Sequence, residues 1–467
     1  GNNFLIGGKG DDTLHGGSGI DKYDGGDVSI GTFYTSSGIH GNNTISFYYA
    51  PKGINIDLGF VNNDAILSDG TIGRVINDGY DNVETYLRNI NNIIGTSNYS
   101  DILKGNSDKN IISGLGGHDT IYGIGGENTL YGGTGNDTIY TATSKVAGQR
   151  GDVVYGGQGT DTLVGSFNED FLIGGEEENN ADVETDWIDY SNLVLGANTY
   201  GISVNLEQTT NFTDTGDRDY LDGNYSQVIR LDSNGNEIVS QFDYISQIEN
   251  ITGSSGDDTF TGNTSQNSIL AGAGDDIIYY TRGLDYYDGG NHTTSSGQGS
   301  GTPSVGGGDW ISLAKETTTT VNFDLYNSSV GANITNSSAT VTNIENIIGY
   351  NGVQATTGWG TDSNNTFVMY AGNDSIIGRQ GDDVYDLGDG NDTAFASYGN
   401  DTIIGGAGID RLDYTNNYSG ANQANYIILT NQDLNGDGDT ADANETVTLQ
   451  TITIKGLATL TDGDYTF

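Results

Sequence analysis

Over much of this chain apolar residues recur singly, nine apart. Residues 378–413 read GRQGDDVYD, LGDGNDTAF, ASYGNDTII and GGAGIDRLD, four consecutive nine-residue units. Place four is Gly and place six is Asp: Asp383, Asp392, Asp401 and Asp410. Place eight holds Tyr385, Ala394, Ile403 and Leu412, with Ala394 the weak member. A lone apolar side chain between polar neighbours predicts a short strand with one face turned inward. The Gly-rich half before it must turn tightly, and Gly tolerates the positive φ that such turns need. One three-residue strand cannot bury its apolar residue alone. Stacking the units like over like, about 4.8 Å per layer, builds a thin continuous core. The fold class expected is all-β, a parallel β-roll or β-helix solenoid, with helix nearly absent.

The same period divides the chain. Repeat blocks are read at 1–26, 95–175, 253–290 and 361–413, the last opening with degenerate units near Asn365 and Asp374. Between them lie β-rich insertions at 27–94 and 176–252, and a Gly/Ser/Thr-rich loop plus insertion at 291–360. The insertions share an order of parts. An apolar strand (DWIDYSNL, DWISLAKE) is followed by an alternating strand (GINIDL, GISVNLE, VNFDLY). A return of the type NIENIIG closes each one. This internal duplication implies a compound repeat of one insertion plus one nonapeptide block. A loop at 141–150 interrupts the second block without ending it. The segment 414–467 reads as further β structure.

Stacking places the sixth residues one above another. They are Asp12 and Asp21 in the first block, and Asp119, Asn128, Asp137, Asp152, Asp161 and Asp170 in the second. The third block gives Asp258, Asn267, Asp276 and Asp285; the fourth gives Asp374, Asp383, Asp392, Asp401 and Asp410. Stacked carboxylates repel unless a cation lies between them. Carboxylate plus backbone carbonyl is an all-oxygen donor set that suits Ca²⁺. Turn-closing Asp is the structural alternative, but turns alone do not demand one spacing in every block. Asn128 and Asn267 offer one uncharged oxygen, so weaker sites are expected there. Asp433, Asn435, Asp437 and Asp439, with Gly438 between, place oxygen side chains at alternate positions, as a calcium loop or a polar hairpin would. Asn444 stands where such a loop wants Glu. Asp232-Ser-Asn-Gly-Asn is a thinner version and reads as a turn.

GGAGIDRLD, GGTGNDTIY (132–140) and GGKGDDTLH (7–15) resemble the calcium-binding nonapeptide of the RTX (repeats-in-toxin) family. The resemblance implies a right-handed parallel β-roll with Ca²⁺ held between successive turns. The sixth-place Asp would give its carboxylate and the Gly-rich turn its carbonyls. It also implies an extracellular protein, usually exported by type I secretion, and insertions built as β-helix-like turns of longer pitch. The final GLATLTDGDYTF is similar to the uncleaved secretion signal of such proteins.

Charge sharpens this picture. Among 467 residues, 63 Asp+Glu face 16 Lys+Arg, a net −47, with 74 Gly and no Cys. Low hydrophobicity with high net charge normally keeps a chain disordered. Here the regular period predicts a chain that orders when cations neutralise it. No basic stripe exists, so nucleic acid is not an expected partner. No apolar run is long enough to span a membrane as a helix. Zero Cys removes disulfides, thiolate nucleophiles and Cys-type zinc sites. His15, His40, His118 and His292 are far apart, and neither GxSxG nor HExxH occurs. Tyr122, Tyr131, Tyr140 and Tyr155 read as stacked ladders on the roll rather than a sugar-binding platform. The first residues already lie within a repeat, so more repeats or another domain are expected upstream.

These features point to a non-enzymatic, secreted, calcium-dependent structural protein. It would self-assemble as a homo-oligomer, filament or lattice, in a surface layer, extracellular filament or adhesin. Cell-surface polysaccharide is the other partner class considered. The rival expectation is a C-terminal export and folding module of a larger enzyme, such as a protease, lipase or polysaccharide epimerase.

Overall fold

The computed structural model describes residues 3–26, 41–60, 73–80, 85–142, 150–166, 168–175, 185–193, 195, 199–213, 223–232, 234–281, 283–290, 308–315, 322–325, 332–334, 339–350, 352–395, 401–408, 410–413, 428–429 and 452–453. These form two compact units. The first comprises 1–193, 208–230 and 238–250; the second comprises 194–207, 231–237 and 251–467. The described residues contain no helix. The fold is an all-β parallel β-roll.

Each nonapeptide contributes one short strand, and successive nonapeptides alternate between two sheets. In the first unit one sheet stacks Ile102–Lys104, Thr120–Tyr122, Thr138–Tyr140, Thr162–Val164 and Trp187–Asp189, all parallel. The other stacks Asn92–Ile94, Ile111–Gly116, Thr129–Thr134, Val153–Gln158 and Phe171–Ile173. The register pairs Ile102 with Thr120 and Thr120 with Thr138, so one turn takes two nonapeptides. Across the loop at 141–150 the register pairs Thr129 with Val153, so the loop lengthens one turn and leaves the stack intact.

The core is the line of place-eight side chains between the sheets. Leu103, Ile121, Ile139 and Leu163 on one sheet, and Ile112, Leu130, Val154 and Leu172 on the other, have no solvent exposure. Flanking residues point outward, as in the half-buried, buried, half-buried pattern of Thr120–Tyr122. On the outer faces Tyr122 stacks on Tyr140 at 4.6 Å and Tyr131 on Tyr155 at 5.2 Å, the two Tyr ladders expected.

The second unit repeats this plan. Thr259–Thr261, Ile277–Tyr279, Trp310–Ser312, Asn346–Ile348, Thr366–Val368, Val384–Asp386 and Thr402–Ile404 form one parallel stack. Thr357–Trp359, Ser375–Ile377, Thr393–Phe395 and Arg411–Asp413 belong to the facing one. Ala394 is buried in line with Ile376 and Leu412, so a methyl group suffices at that layer. Of the C-terminal segment, Ile428–Leu429 and Ile452–Thr453 add a parallel strand to each sheet.

The first and third insertions differ from the expected longer parallel turns. Asn55–Asp57, Gly73–Asn77 and Thr85–Arg88 form an antiparallel meander. Its outer strands join the parallel stack on Ile102–Lys104 and Lys22–Asp24. Phe323–Asp324, Ala332–Ile334 and Thr340–Thr342 repeat this arrangement, joining Thr357–Trp359 and Tyr286–Asp288. The physical reason is connection length. Three of the four links, 78–84, 325–331 and 335–339, are too short for the crossover a parallel pair needs, so the strands they join pair antiparallel. The meander thus adds layers to one sheet without completing turns. In the second insertion, Phe212, Tyr225 and Tyr244 pack with Val153, Tyr155 and Phe171, covering the outer face of that sheet.

Candidate metal centre

Just before each strand the place-six side chain turns into the stack and becomes buried. Its first carboxylate oxygen accepts a hydrogen bond from the backbone of the adjacent turn. The Asp101 N–H donates to Asp119 Oδ1 at 2.8 Å, Asp119 to Asp137 at 2.7 Å, and Asp137 to Asp161 at 2.7 Å. A second ladder links Asn110, Asn128, Asp152 and Asp170 in the same way. In the second unit Asp258 donates to Asp276 at 2.7 Å and Asp276 to Asp309 at 2.9 Å. There too Asp374 donates to Asp392 at 2.7 Å, and Asp383 to Asp401 and Asp392 to Asp410 at 3.1 Å each. At the start of the chain Asp12 donates to Asn43 Oδ1, and Asn3 to Asp21 Oδ1. Asn267 donates to Asp285 Oδ1.

The second carboxylate oxygen distinguishes the site. Oδ2 of Asp12, Asp119, Asp137, Asp276, Asp309, Asp383 and Asp392 is buried without a hydrogen-bond partner. The residues themselves are sealed: Asp119 and Asp137 are 2 % exposed, Asp383 and Asp392 1 %. A buried acceptor without a donor costs about 1–3 kcal/mol, and more when charged. The electrostatics agree. Burial pushes Asp119, Asp309 and Asp383 up to about 8, Asp392 to about 7 and Asp137 to about 6. Neighbouring rungs add to this, since the Asp101 and Asp137 carboxylates raise Asp119 further. Such a ladder is unfavourable when charged and uncompensated.

The residues present fit a divalent cation. Where place one is Gly, it leaves the space beside Oδ2 open. A Cβ on Gly132 would collide with Asp137 Oδ2 and the Gly156 carbonyl, and one on Gly114 with Asp119 Oδ2 and the Gly132 carbonyl. Asn128 shows what that space accommodates. Its amide nitrogen donates to the carbonyls of Gly123 at 3.2 Å and Gly125 at 2.9 Å. In the Asp units the equivalent oxygens are carbonyls and a carboxylate, a hard donor set for Ca²⁺. Among the described residues no three His, Asp or Glu side chains converge.

All seventeen place-six residues read from the sequence at 12–410 occupy the ladders. The stacks also contain Asp101, Asn110, Asp186, Asp243 and Asp309, which the nonapeptide pattern missed because all but Asp309 lack Gly at place four and the glycines before Asp309 were read as part of a loop. Their signal was a core residue two places on: Leu103, Ile112, Ile188, Ile245 and Ile311. Asp433, Asn435, Asp437 and Asp439 lie outside the described residues. Asp232 closes a turn, its Oδ1 accepting from the N–H groups of Asn234 and Asn236. His118 is exposed and its Nδ1 accepts from the Asn136 N–H at 2.8 Å, so it serves the loop.

The family model of the RTX calcium-binding nonapeptide repeat matches residues 1–28, 95–129, 122–142, 146–179, 252–287, 359–394 and 395–413. The chain therefore carries RTX nonapeptide repeats in multiple copies, and these repeats are calcium-binding motifs for multiple Ca²⁺ ions. Proteins built of this repeat are typically extracellular and exported by type I secretion. No helix among the described residues is long and apolar enough to cross a membrane. No curated protein matches the chain.

Proposed function

We propose that this is a secreted, non-enzymatic structural protein whose roll folds on binding Ca²⁺ and then assembles with further copies into a filament or lattice. The observation that carries the reading is the set of buried, unpartnered carboxylate oxygens repeated through both units. The ligands would be place-six carboxylates such as Asp119, Asp137, Asp276, Asp383 and Asp392, with turn carbonyls completing each site. A bound Ca²⁺ supplies positive charge between turns. The chain supplies the carboxylates, the Gly-bounded space and the apolar line that holds the turns in register.

Assembly follows from charge and shape. A chain of net −47 repels its copies at low ionic strength. Divalent ions can bridge or neutralise such faces, and a solenoid offers stack ends and lateral insertions for contact. The test is electron microscopy of the purified chain titrated with Ca²⁺, with Mg²⁺ at equal ionic strength as control. Filaments or two-dimensional lattices should appear with Ca²⁺ alone. A folded, calcium-loaded monomer at high concentration would count against the structural role and for an enzyme-borne module.

A further inference from the structure

The ladder residues are not all alike, and the difference lies four residues upstream, at place two. Where Oδ2 lacks a partner in a described turn, place two has a left-handed backbone. It is Gly8 (φ 113°) before Asp12, Leu115 (76°) before Asp119 and Gly133 (114°) before Asp137. The same holds for Gly272 (115°) before Asp276, Arg379 (79°) before Asp383 and Gly388 (75°) before Asp392. Leu115 and Arg379 hold this conformation although a Cβ disfavours it.

A second class carries Thr, Ser or Asn at place two or, in the turn of Asp101, at place one, where Thr96 lies five residues upstream. Thr96, Asn106, Ser254, Asn263 and Thr361 are absent from the left-handed set. Their own N–H groups point at the ladder side chain. Thr96 donates to Asp101 Oδ2 at 2.6 Å and Ser254 to Asp258 Oδ2 at 2.6 Å. Asn106 donates to Asn110 Oδ1 at 2.9 Å, Asn263 to Asn267 Oδ1 at 2.8 Å, and Thr361 to Asn365 Oδ1 at 2.7 Å. The Ser166 hydroxyl does the same for Asp170 Oδ2 at 2.8 Å. Reversing the sign of φ swings the place-two N–H toward or away from the ladder, so one torsion decides whether the carboxylate finds its donor within its own turn.

The ladder residue itself agrees with this division. Asn110, Asn267 and Asn365 stand in the N–H-capped class, where a neutral oxygen is enough. The six left-handed turns with an unpartnered oxygen all carry Asp. Asn128 follows left-handed Ile124, and its amide group donates to the turn carbonyls instead.

Resting on the calcium reading above, we infer that place two sorts the repeats into calcium-binding turns and self-capped turns that take no ion. Calcium enters where place two is left-handed. Where place two donates its own N–H, a hydrogen bond occupies that role. The self-capped turns are not scattered. Those at 95–110 precede the run at 114–140, those at 253–267 precede Asp276, and that at 360–365 precedes the run from Gly378. Three runs of calcium-binding turns therefore follow turns that close without the ion, whereas the Gly8–Asp12 turn has no such turn before it among the described residues and the capped Asp170 turn follows a run.

The test is equilibrium dialysis of the full chain against Ca²⁺, counting ions per chain, with far-UV circular dichroism at the same Ca²⁺ to establish folding. Asp137→Asn should lower the count by one. Asp258→Asn should leave it unchanged, since Asn is the native residue at three capped turns. Ser254→Gly converts the turn to GGSGDD and should raise the count by one. If Asp137→Asn fails to fold, Asp392→Asn repeats the measurement in the other unit. Loss of an ion in Asp258→Asn, or no loss in either left-handed variant, overturns the sorting while leaving the calcium reading in place. A wild-type chain that binds no Ca²⁺ overturns the calcium reading itself.

Discussion

The turns at 95–110 and at 114–137 stack directly on one another, share a register and bury equivalent core residues, yet they close by different chemistry. In the first, Thr96 and Asn106 give backbone donors to Asp101 and Asn110. In the second, Leu115 and Gly133 turn theirs away, and Asp119 and Asp137 keep an unpartnered oxygen. The apolar line is the same, with Leu103, Ile112, Ile121 and Ile139 all fully buried. Core burial alone therefore does not decide whether a turn needs a cation. The decision is local, made by one backbone torsion and by the charge on one side chain. This is a general caution for repeat proteins, because units that look equivalent by period can differ in what completes them.

Chelation should give the largest effect and separate the two regions most sharply. Each site contributes about 2.7 kcal/mol when free Ca²⁺ is a hundredfold above its dissociation constant. Removing many sites at once therefore exceeds the 5–15 kcal/mol or so that holds a typical domain together. Excess EGTA should abolish most of the β signal in circular dichroism. During a Ca²⁺ titration monitored by hydrogen exchange, amides at 102–112 should gain protection at lower Ca²⁺ than those at 120–139. An unchanged β spectrum in EGTA would end the calcium-dependent account. Simultaneous protection of both regions would merge them into one cooperative unit.

How much of this was legible beforehand follows from what period can encode. The nonapeptide repeat contains the strand, the inward residue and the ladder position, so Ile121, Asp119 and the stacked Tyr122 and Tyr140 could be placed from sequence. Asp186 was missed because its ladder role survives without the preceding G-x-G, and Asp309 because the glycines before it merge with a Gly-rich loop. Only the short Asp-Trp-Ile match remains to mark them. Of the meander, the strand at Asn55–Asp57 was legible, but the middle strand Gly73–Asn77 and the antiparallel pairing were not, since alternation gives a face and not a partner. The sorting by place two was in plain view as Gly against Thr, Ser or Asn. Its meaning needed the hydrogen bonds: Leu115 and Arg379 are left-handed without being Gly, and Gly17 is Gly without being left-handed, the Asp21 Oδ2 after it accepting from the Tyr23 hydroxyl.

A substitution pair sharpens the comparison at smaller cost. Asp392→Ala removes an unpartnered Oδ2 and the acceptor for the Asp374 N–H. Stability should fall, and its dependence on the logarithm of Ca²⁺ should become shallower by one ion. Asn267→Ala removes the oxygen that accepts from the half-buried Asn263 N–H and the amide group that donates to Asn263 Oδ1. That should cost about 1–3 kcal/mol, with the calcium dependence unchanged. Denaturant unfolding at several Ca²⁺ concentrations measures both quantities. Equal calcium slopes for the two variants would erase the distinction between the turns.

The smallest expected effect comes from the turn that mixes both characters. Ile124 is left-handed at φ 72° and 37 % exposed, while Asn128 in the same turn donates its amide to the Gly123 and Gly125 carbonyls. A β-branched residue in this region is a costly outlier, and left-handed backbone costs a non-Gly residue roughly 1–2 kcal/mol. Gly removes that strain but adds about 0.5–1 kcal/mol of unfolded-state entropy. Ile124→Gly should therefore stabilise the folded chain by about 1 kcal/mol or less at saturating Ca²⁺. Thr96, one place earlier in its own turn, offers the control, since it has no strain to relieve and its hydroxyl donates to Tyr99 O at 2.8 Å. Thr96→Gly should destabilise. Adding Asn128→Asp to Ile124→Gly recreates a left-handed turn with an acidic ladder residue, and the double variant should bind one more Ca²⁺ than wild type. If Ile124→Gly destabilises as Thr96→Gly does, the left-handed backbone is not a strained feature of these turns, and place two would lose its standing as the residue that sorts them.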